Sequence, residues 1–308
     1  MSYPIEDKLV IAVSSSALFD LSVSDQVFRQ QGSHAYKNFQ EEHIDEVLDK
    51  GVAFPFVKRF LSINHHFPEA LPVEVVLLSR NSPATGQRVF RSIQEYGLDI
   101  SRAAFMTGKS PYSYVPAFHA SLFLSANEED VKQAINAGIP AGIVLPSVVN
   151  DDDDNELRLA FDFDGVIADD EAETVFKNEG LPEFQRHETQ KSHIPHNPGL
   201  LAPLFRKLAS LQKLEEHLEH EQHDYQRLIR TAIITARSAP AHERVITSLE
   251  EWGIMPNETF FLGGMDKKHI LSVFKPHMFF DDQRAHLQPS SDNIPMVHIP
   301  FGIANQES

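Results

Sequence analysis

Short apolar runs alternate with segments of helical spacing along the chain. In the first half the apolar runs are LVIAV, VEVVLL, AAFM, ASLFLS and AGIVLP, and in the second half they are LRLAFDFD, RTAIITA, ETFFLGG, HMFFDD and IPMVHIP. Segments between them, such as GQRVFRSIQEYG (86–97), have helical spacing and end in glycine. Strands that alternate with helices predict an α/β fold with parallel sheets covered by helices.

The two halves also resemble each other in sequence. A shift of 148 residues places 9–32 on 157–180, and a shift of 156 residues places 79–99 on 235–255. The sequence therefore predicts two duplicated halves. The carboxylates of the second copy are neutral in the first, because the shifts place Ser14, Ser16, Ser125 and Ala126 on Asp162, Asp164, Asp281 and Asp282. Chemistry is expected in the second half alone.

Domain boundaries follow from this repeat. We expect a degenerate domain at 1–150, with a structural, regulatory or substrate-shaping role, and a catalytic domain at 151–308. The charged segment 147–156, which contains four consecutive aspartates, is interpreted as a solvated linker. The stretch between the first acid pair and Thr235 is expected to supply a small helical cap, around 171–230.

Composition narrows the possible partners. The chain has 308 residues, a net charge of −17 and no cysteine, which argues against general binding of nucleic acid and excludes disulfides and thiolate metal sites. The N-terminal residues do not resemble a signal peptide, and no stretch reaches the roughly 18 apolar residues of a membrane span. We expect a cytoplasmic protein with no membrane contact.

Asp162 and Asp164 follow the first apolar strand of the second half. Residues two apart in a strand point to the same face, so both carboxylates are expected at the carboxyl edge of the sheet, where α/β folds bind ligands. Gly165 permits a turn there. Two neighbouring acids need a compensating cation, and oxygen ligands without cysteine favour Mg²⁺.

Three further groups follow later strands in order. Asp281 and Asp282 end one apolar strand, and Thr235 ends another. A helix is expected after Thr235, from about Ala239, and the backbone N–H groups at its start could bind a phosphate. Lys267 follows the turn at Gly263 and Gly264 and offers a cation for the same phosphate. This ordered set predicts a phosphoryl-transfer site.

This ordered set resembles the four motifs of the haloacid-dehalogenase-like phosphatases. In this chain the four matching positions are DFDGV (162–166), Thr235, Lys267 and FFDDQ (279–283). The strings AVSSSALFDL, AFPFVK, TARSA and HIPFGIA extend the resemblance to the cytosolic 5'-nucleotidase type I family over nearly the whole chain. The resemblance implies HAD-like Rossmannoid parallel sheets with a degenerate N-terminal copy. One departure is DFDGV, where the type I pattern has DGDAV.

By this resemblance Asp162 is the nucleophile that forms an aspartyl-phosphate, and Asp164 is the general acid and base. Thr235 and Lys267 hold the phosphoryl oxygens. Asp162, Asp281 and the backbone carbonyl of Asp164 bind Mg²⁺. Asp282 is either a further metal ligand or a partner of Lys267.

Substrate contacts are less sharply defined. Lys191, His193 and Asn197, with His187 and His196, lie in a polar stretch before Thr235 and could contact ribose or base, or form an ordinary polar loop. Arg237 and Ser238 follow Thr235 and could border the pocket, although Ser238 could equally cap a helix.

The sequence thus indicates Mg²⁺-dependent hydrolysis of nucleoside 5'-monophosphates, AMP-like or dNMP-like ones first, to nucleoside and phosphate. The alternatives are a phosphatase for another small phosphomonoester, and a nucleotide-sensing module with vestigial activity. The expected partner is a small nucleotide, and homo-oligomerisation is left open.

Overall fold

The computed structural model describes residues 4–149, 151, 154–288 and 293–306. The chain divides into two compact units, Met1–Asp152 and Asp153–Ser308. The expected linker, 147–156, falls partly on residues 150, 152 and 153, which lie outside the described residues.

The first unit contains five parallel strands in the order β3-β2-β1-β4-β5. The strands are β1 (Leu9–Val13), β2 (Val73–Ser79), β3 (Arg102–Phe105), β4 (Ala120–Ser125) and β5 (Ala141–Val144). The helices are α1 (Ser15–Leu18), α2 (Ser22–Glu42), α3 (Phe54–His66), α4 (Gln87–Glu95) and α5 (Glu128–Asn136).

The second unit contains five parallel strands in the order β8-β7-β6-β9-β10. The strands are β6 (Leu157–Phe161), β7 (Ile229–Thr235), β8 (Glu258–Phe261), β9 (Met278–Asp281) and β10 (Met296–His298). The helices are α6 (Glu171–Glu179), α7 (Leu181–Gln190), α8 (Ala202–Glu221), α9 (His242–Glu251) and α10 (Lys268–Phe274).

The predicted α/β class with parallel strands is confirmed. Each of the ten apolar runs contains one strand, and the two units follow the same strand order. Every residue of the central strands β1 and β6 is buried. Continuous apolar runs of this kind are typical of parallel strands that are covered on both faces.

The core of the second unit lies beneath the acid-bearing strand ends. The ring of Phe161, the last residue of β6, packs against Phe205 of α8 and Phe280 of β9, each with a centroid separation of 4.8 Å. These contacts fix the ends of β6 and β9 side by side, so the polar residues that follow the two strands share one edge of the sheet. In the described part of the chain, no helix combines the length and apolarity needed to cross a bilayer.

Candidate active site

The first acid pair emerges where β6 ends. The backbone N–H of Asp162 donates to the carbonyl oxygen of Phe280 at 2.8 Å, and the Asp162 carboxylate accepts from the N–H of Phe163 at 2.7 Å. The chain then turns at Gly165, where φ is +69°. A Cβ atom at Gly165 would lie 2.5 Å from Oδ2 of Asp282, so glycine permits the two acid pairs to approach closely.

Lys267 lies between two of these carboxylates. Its Nζ is 2.7 Å from Oδ2 of Asp162 and 2.7 Å from Oδ2 of Asp281, and its side chain is buried. His286 adds a third contact, with Nδ1 3.1 Å from Oδ2 of Asp281. The structure therefore brings the predicted nucleophile, lysine and metal ligand into one cluster.

Burial and crowding perturb the pKa values of the carboxyl groups in this cluster. Burial raises the pKa of Asp162 to about 7, against the lowering effect of Lys267. Burial, together with the charges of Asp162 and Glu173, raises the pKa of Asp282 to about 10. Burial also acts to raise the pKa of Asp281, but Lys267 and His286 outweigh it and lower that pKa. One lysine does not compensate all of these carboxylates.

The donor set fits a hard metal ion. Ligand atoms of Asp162, Asp281 and His286 lie within 4.8 Å of one another. Neither carboxylate oxygen of buried Asp282 has a hydrogen-bond donor among the described residues. Carboxylates that lack protein donors at a charged cluster are what an oxygen-binding cation would stabilise.

Thr235, at the end of β7, is buried beside the same edge of the sheet. Its Oγ1 accepts a hydrogen bond from the N–H of Arg237 at 3.2 Å. Helix α9 begins at His242, three residues later than expected, and its N-cap residue is Ala241. Ser238 therefore does not cap this helix. It lines a cavity instead.

That cavity, of about 470 Å³, opens above the cluster. Asp162, Asp164 and Thr235 lie on its polar side. Its apolar lining includes Phe176 of α6 and both Leu181 and Phe184 of α7. The rings of Phe176 and Phe184 meet edge to face at 6.0 Å, and Phe176 is 48% exposed. The lining thus combines a polar anchor with an aromatic wall formed by Phe176 and Phe184.

None of the possible substrate contacts in the polar stretch before Thr235 lines this cavity: His187, Lys191, His193, His196 and Asn197. Lys191 forms an ion pair with Glu171, and the side-chain amide of Asn197 donates to Asp169 at 2.8 Å. His193 is exposed. Lys191, His193 and Asn197 lie in the loop after α7, and the two of these three for which a contact is described meet nearby acids instead of the cavity.

Sequence reasoning missed a buried ionic network beside the cavity. Arg237 pairs with both oxygens of Asp164 and also with Glu188 of α7. Arg244 of α9 donates to the same Glu188 at 2.8 Å. No sequence signal marked Glu188, because its two arginine partners come from segments about 50 residues further along the chain.

The corresponding edge of the first unit contains hydroxyl groups. Ser14 Oγ lies 3.1 Å from Ser16 Oγ and accepts from the N–H of Ala17. Ser125 Oγ accepts from the N–H of Asn127 at 3.1 Å. These serines therefore satisfy local hydrogen bonds without a buried charge.

Comparison with known proteins places the chain in a family. The model of the 5'-nucleotidase family matches residues 1–306. Cytosolic 5'-nucleotidase 1B from Homo sapiens is 33% identical over 293 residues, which are 92% of this chain and 47% of that protein. The chain thus spans about half the length of this curated relative, and no solved structure matches it significantly. The resemblance noted in the sequence is confirmed: the chain belongs to the 5'-nucleotidase family.

Proposed function

We propose that this protein is a Mg²⁺-dependent 5'-nucleotidase, which hydrolyses nucleoside 5'-monophosphates of the AMP or dNMP type to nucleoside and phosphate. The observation that carries the proposal is the cavity, whose lining includes Asp162, which pairs with Lys267, and also the aromatic pair Phe176 and Phe184. A phosphate and a nucleobase need these two environments. Family membership and the human relative's name support the same activity.

Two steps account for hydrolysis. In the first, a carboxylate oxygen of Asp162 attacks phosphorus and the bond from phosphorus to the ribose oxygen breaks, while Asp164 gives that oxygen a proton. In the second, water attacks the aspartyl-phosphate, Asp164 takes the proton, and the carboxylate of Asp162 is released with phosphate. Lys267 and Thr235 stabilise the non-bridging oxygens in both steps.

Asp162, Asp281 and Asp282, with the backbone carbonyl of Asp164, are the proposed Mg²⁺ ligands. A divalent ion held by these residues would offset negative charge on the phosphoryl group and on the nucleophile. The second oxygen of Asp281 is then free to remain with Lys267, which lies 2.7 Å away.

The aromatic wall favours nucleotides over sugar phosphates. A nucleobase can stack on a ring that is half exposed, as Phe176 is, and stacking of this kind contributes about 1–3 kcal/mol per base. A sugar phosphate gains little from the same wall. We propose that α6 and α7 form the cap, because α8 packs its Phe205 against the core residue Phe161.

For the first unit we propose a duplicated, degenerate copy without phosphoryl transfer. Equal strand order supports the duplication, as does a shared bend: Gly32 in α2 and Gly180 between α6 and α7 both have φ of +83°. A cavity of about 820 Å³ in this unit is lined by Ser16 and Ala126, where the second unit has Asp164 and Asp282. The unit then has a structural, regulatory or substrate-shaping role.

We also propose a cytosolic location, because the human relative is named cytosolic. The proposed partner is the nucleotide substrate, and oligomerisation is a matter for direct measurement.

The deciding experiment incubates the protein with Mg²⁺ and a panel of nucleoside monophosphates and sugar phosphates, and measures released phosphate. We expect nucleoside monophosphates to be hydrolysed at the highest kcat/KM. Turnover of sugar phosphates alone would favour the general phosphatase. Nucleotide binding without turnover would favour the sensing module, and either result would refute the nucleotidase.

A further inference from the structure

The side chain of Arg237 joins the proposed general acid to a buried carboxylate on α7. Its Nε lies 2.8 Å from Oδ2 of Asp164 and its Nη2 lies 2.6 Å from Oδ1, a two-pronged contact that orients the carboxylate. Its Nη1 donates to Oε2 of Glu188 and to the carbonyl oxygen of Ala241. Since the Arg237 side chain is only 2% exposed, these contacts fix the guanidinium in one place.

Glu188 is itself held by several cationic or polar groups. Its side chain is fully buried, Arg244 donates to Oε1 at 2.8 Å, and Nδ1 of His187 lies 2.9 Å from the same oxygen. Burial acts to raise the pKa of Glu188, but His196 and Arg237 outweigh it and hold the pKa well below its usual range. The carboxylate is therefore charged and matches the charge of Arg237.

Two aromatic rings from different segments of the chain lie close to the guanidinium of Arg237. The ring of Phe163, between the two catalytic aspartates, has its centroid 5.4 Å from Cζ of Arg237, and the ring of Phe184 has its centroid at 5.3 Å. Phe184 and Glu188 lie one turn apart on α7. One helix therefore supplies both an aromatic contact and the counter-charge of Arg237.

We propose that Glu188 is a positioning residue for phosphoryl transfer, which acts through Arg237 to hold the carboxyl group of Asp164 toward the leaving oxygen. The inference rests on the proposed role of Asp164 as general acid. Glu188 does not line the cavity, whereas Asp164 and Arg237 do. In the step concerned, the proton moves from Asp164 to the leaving oxygen as the phosphorus–oxygen bond breaks, and Arg237 keeps all of its protons.

A leaving-group series tests this role. An alkyl leaving group, such as the ribose of a nucleotide or the alcohol of a simple alkyl phosphate, needs a proton from Asp164. The p-nitrophenolate of p-nitrophenyl phosphate leaves without one. We expect Glu188→Gln to lower kcat/KM for alkyl phosphates by about 10- to 100-fold, the range for a misplaced catalytic group. For p-nitrophenyl phosphate the loss should stay under about threefold.

Glu183→Gln is the matched control, because Glu183 lies on the same helix and pairs with Arg186 at 2.6 Å, away from Arg237. This variant should retain the wild-type ratio of the two kcat/KM values. Equal losses on both leaving groups in Glu188→Gln, or no loss on alkyl phosphates, would overturn the proposal.

Arg237→Lys provides a second route if Glu188→Gln fails to fold, as judged by circular dichroism. Lysine keeps the charge but loses the two-pronged contact with Asp164, so the same difference between leaving groups is expected. Where Glu188→Gln folds, adding it to Arg237→Lys should cause no further change in the ratio, because Glu188 acts through Arg237. An unchanged ratio in Arg237→Lys would contradict the inference.

The series also separates this inference from the proposed function. A wild-type protein that hydrolyses simple alkyl phosphates but no nucleoside monophosphate would refute the nucleotidase, and the leaving-group comparison would still decide the role of Glu188.

Discussion

Substitution of Gly165 by alanine should separate the geometry of the acid cluster from general stability. The new Cβ atom would lie 2.5 Å from Oδ2 and 2.7 Å from Cγ of Asp282. Ordinary contact requires about 3.5 Å, so either Asp282 or the turn after Asp162 must move by about 1 Å. A displacement of this size at a reacting centre costs about 10²-fold in rate, and we expect that loss in kcat/KM for the preferred nucleotide.

Backbone strain is a separate cost of this substitution, and Gly253 provides the control. Gly253 has φ of +65°, close to the +69° of Gly165, and a Cβ atom there would meet nothing within 4 Å. Both alanine variants should lose about 1–2 kcal/mol of unfolding free energy from the left-handed conformation, and Gly165→Ala should lose about 1–3 kcal/mol more from overpacking. Urea unfolding measures these losses.

Activity distinguishes the two variants more sharply than stability does. Assays run at a temperature where both variants are folded should give Gly253→Ala within about twofold of wild type, since its strain is remote from the cavity. A Gly165→Ala protein with the same activity as Gly253→Ala would refute the reasoning, because the methyl group would then have been accommodated without moving Asp282.

Three other outcomes are expected. Asp162→Asn should lower phosphate release by at least about 10³-fold because it removes the proposed nucleophile, whereas Ser14→Ala should remain within about twofold. Comparable losses from the two variants would show that the roles of the two halves had been assigned wrongly. A chelator should abolish turnover and added Mg²⁺ should restore it; activity that persists in chelator would exclude the metal proposal. Glu215→Ala should cost about 2–4 kcal/mol of unfolding free energy, because buried Glu215 accepts hydrogen bonds from Tyr225 and from two backbone N–H groups at the start of β7. The kcat of this variant should not change, and urea unfolding identical to that of the wild type would contradict this reasoning.

The strands and the order of the acid-bearing groups could be predicted from sequence for the same physical reason. Parallel strands buried on both faces read as nearly continuous apolar runs. All five residues of β6 are buried, and four of them are apolar, Arg158 being the exception. A charged residue directly after such a run has to lie at the carboxyl edge. Asp162 and Asp281 therefore had to be neighbours once β6 and β9 paired.

The cavity walls could not be predicted in this way. Polarity suggested Lys191 and Asn197 as substrate contacts, but each has an acid within reach, Glu171 and Asp169 respectively. Phe176 lies on α6, and the sequence pattern of that helix is equally consistent with its apolar residues packing in the core or lining a cavity. Whether an aromatic residue on α6 faces the core or the cavity depends on how the helix is placed, which is a tertiary property.

Arg237 illustrates a further limit of sequence reasoning. Its place two residues after Thr235 suggested that it borders the substrate, and it does line the cavity. Its guanidinium nevertheless binds two carboxylates, Asp164 and Glu188. The second partner is brought to it by α7, so the proposed role as support for Asp164 could be inferred only from the tertiary structure.

If the first unit is a degenerate copy, as proposed, the same electrostatics account for the absence of its charged groups as a set. In the second unit Asp162 and Asp281 are buried against Lys267, and removal of one member of such a cluster leaves a buried charge that costs several kcal/mol. The 156-residue shift places Pro111 at the position of Lys267. With that cation absent, a carboxylate at Ser14 would be buried without a partner, whereas the hydroxyl is satisfied by Ser16 and a backbone N–H. A neutral edge is thus the stable alternative to a complete catalytic cluster, and intermediate states with only some of the charges are the unstable ones.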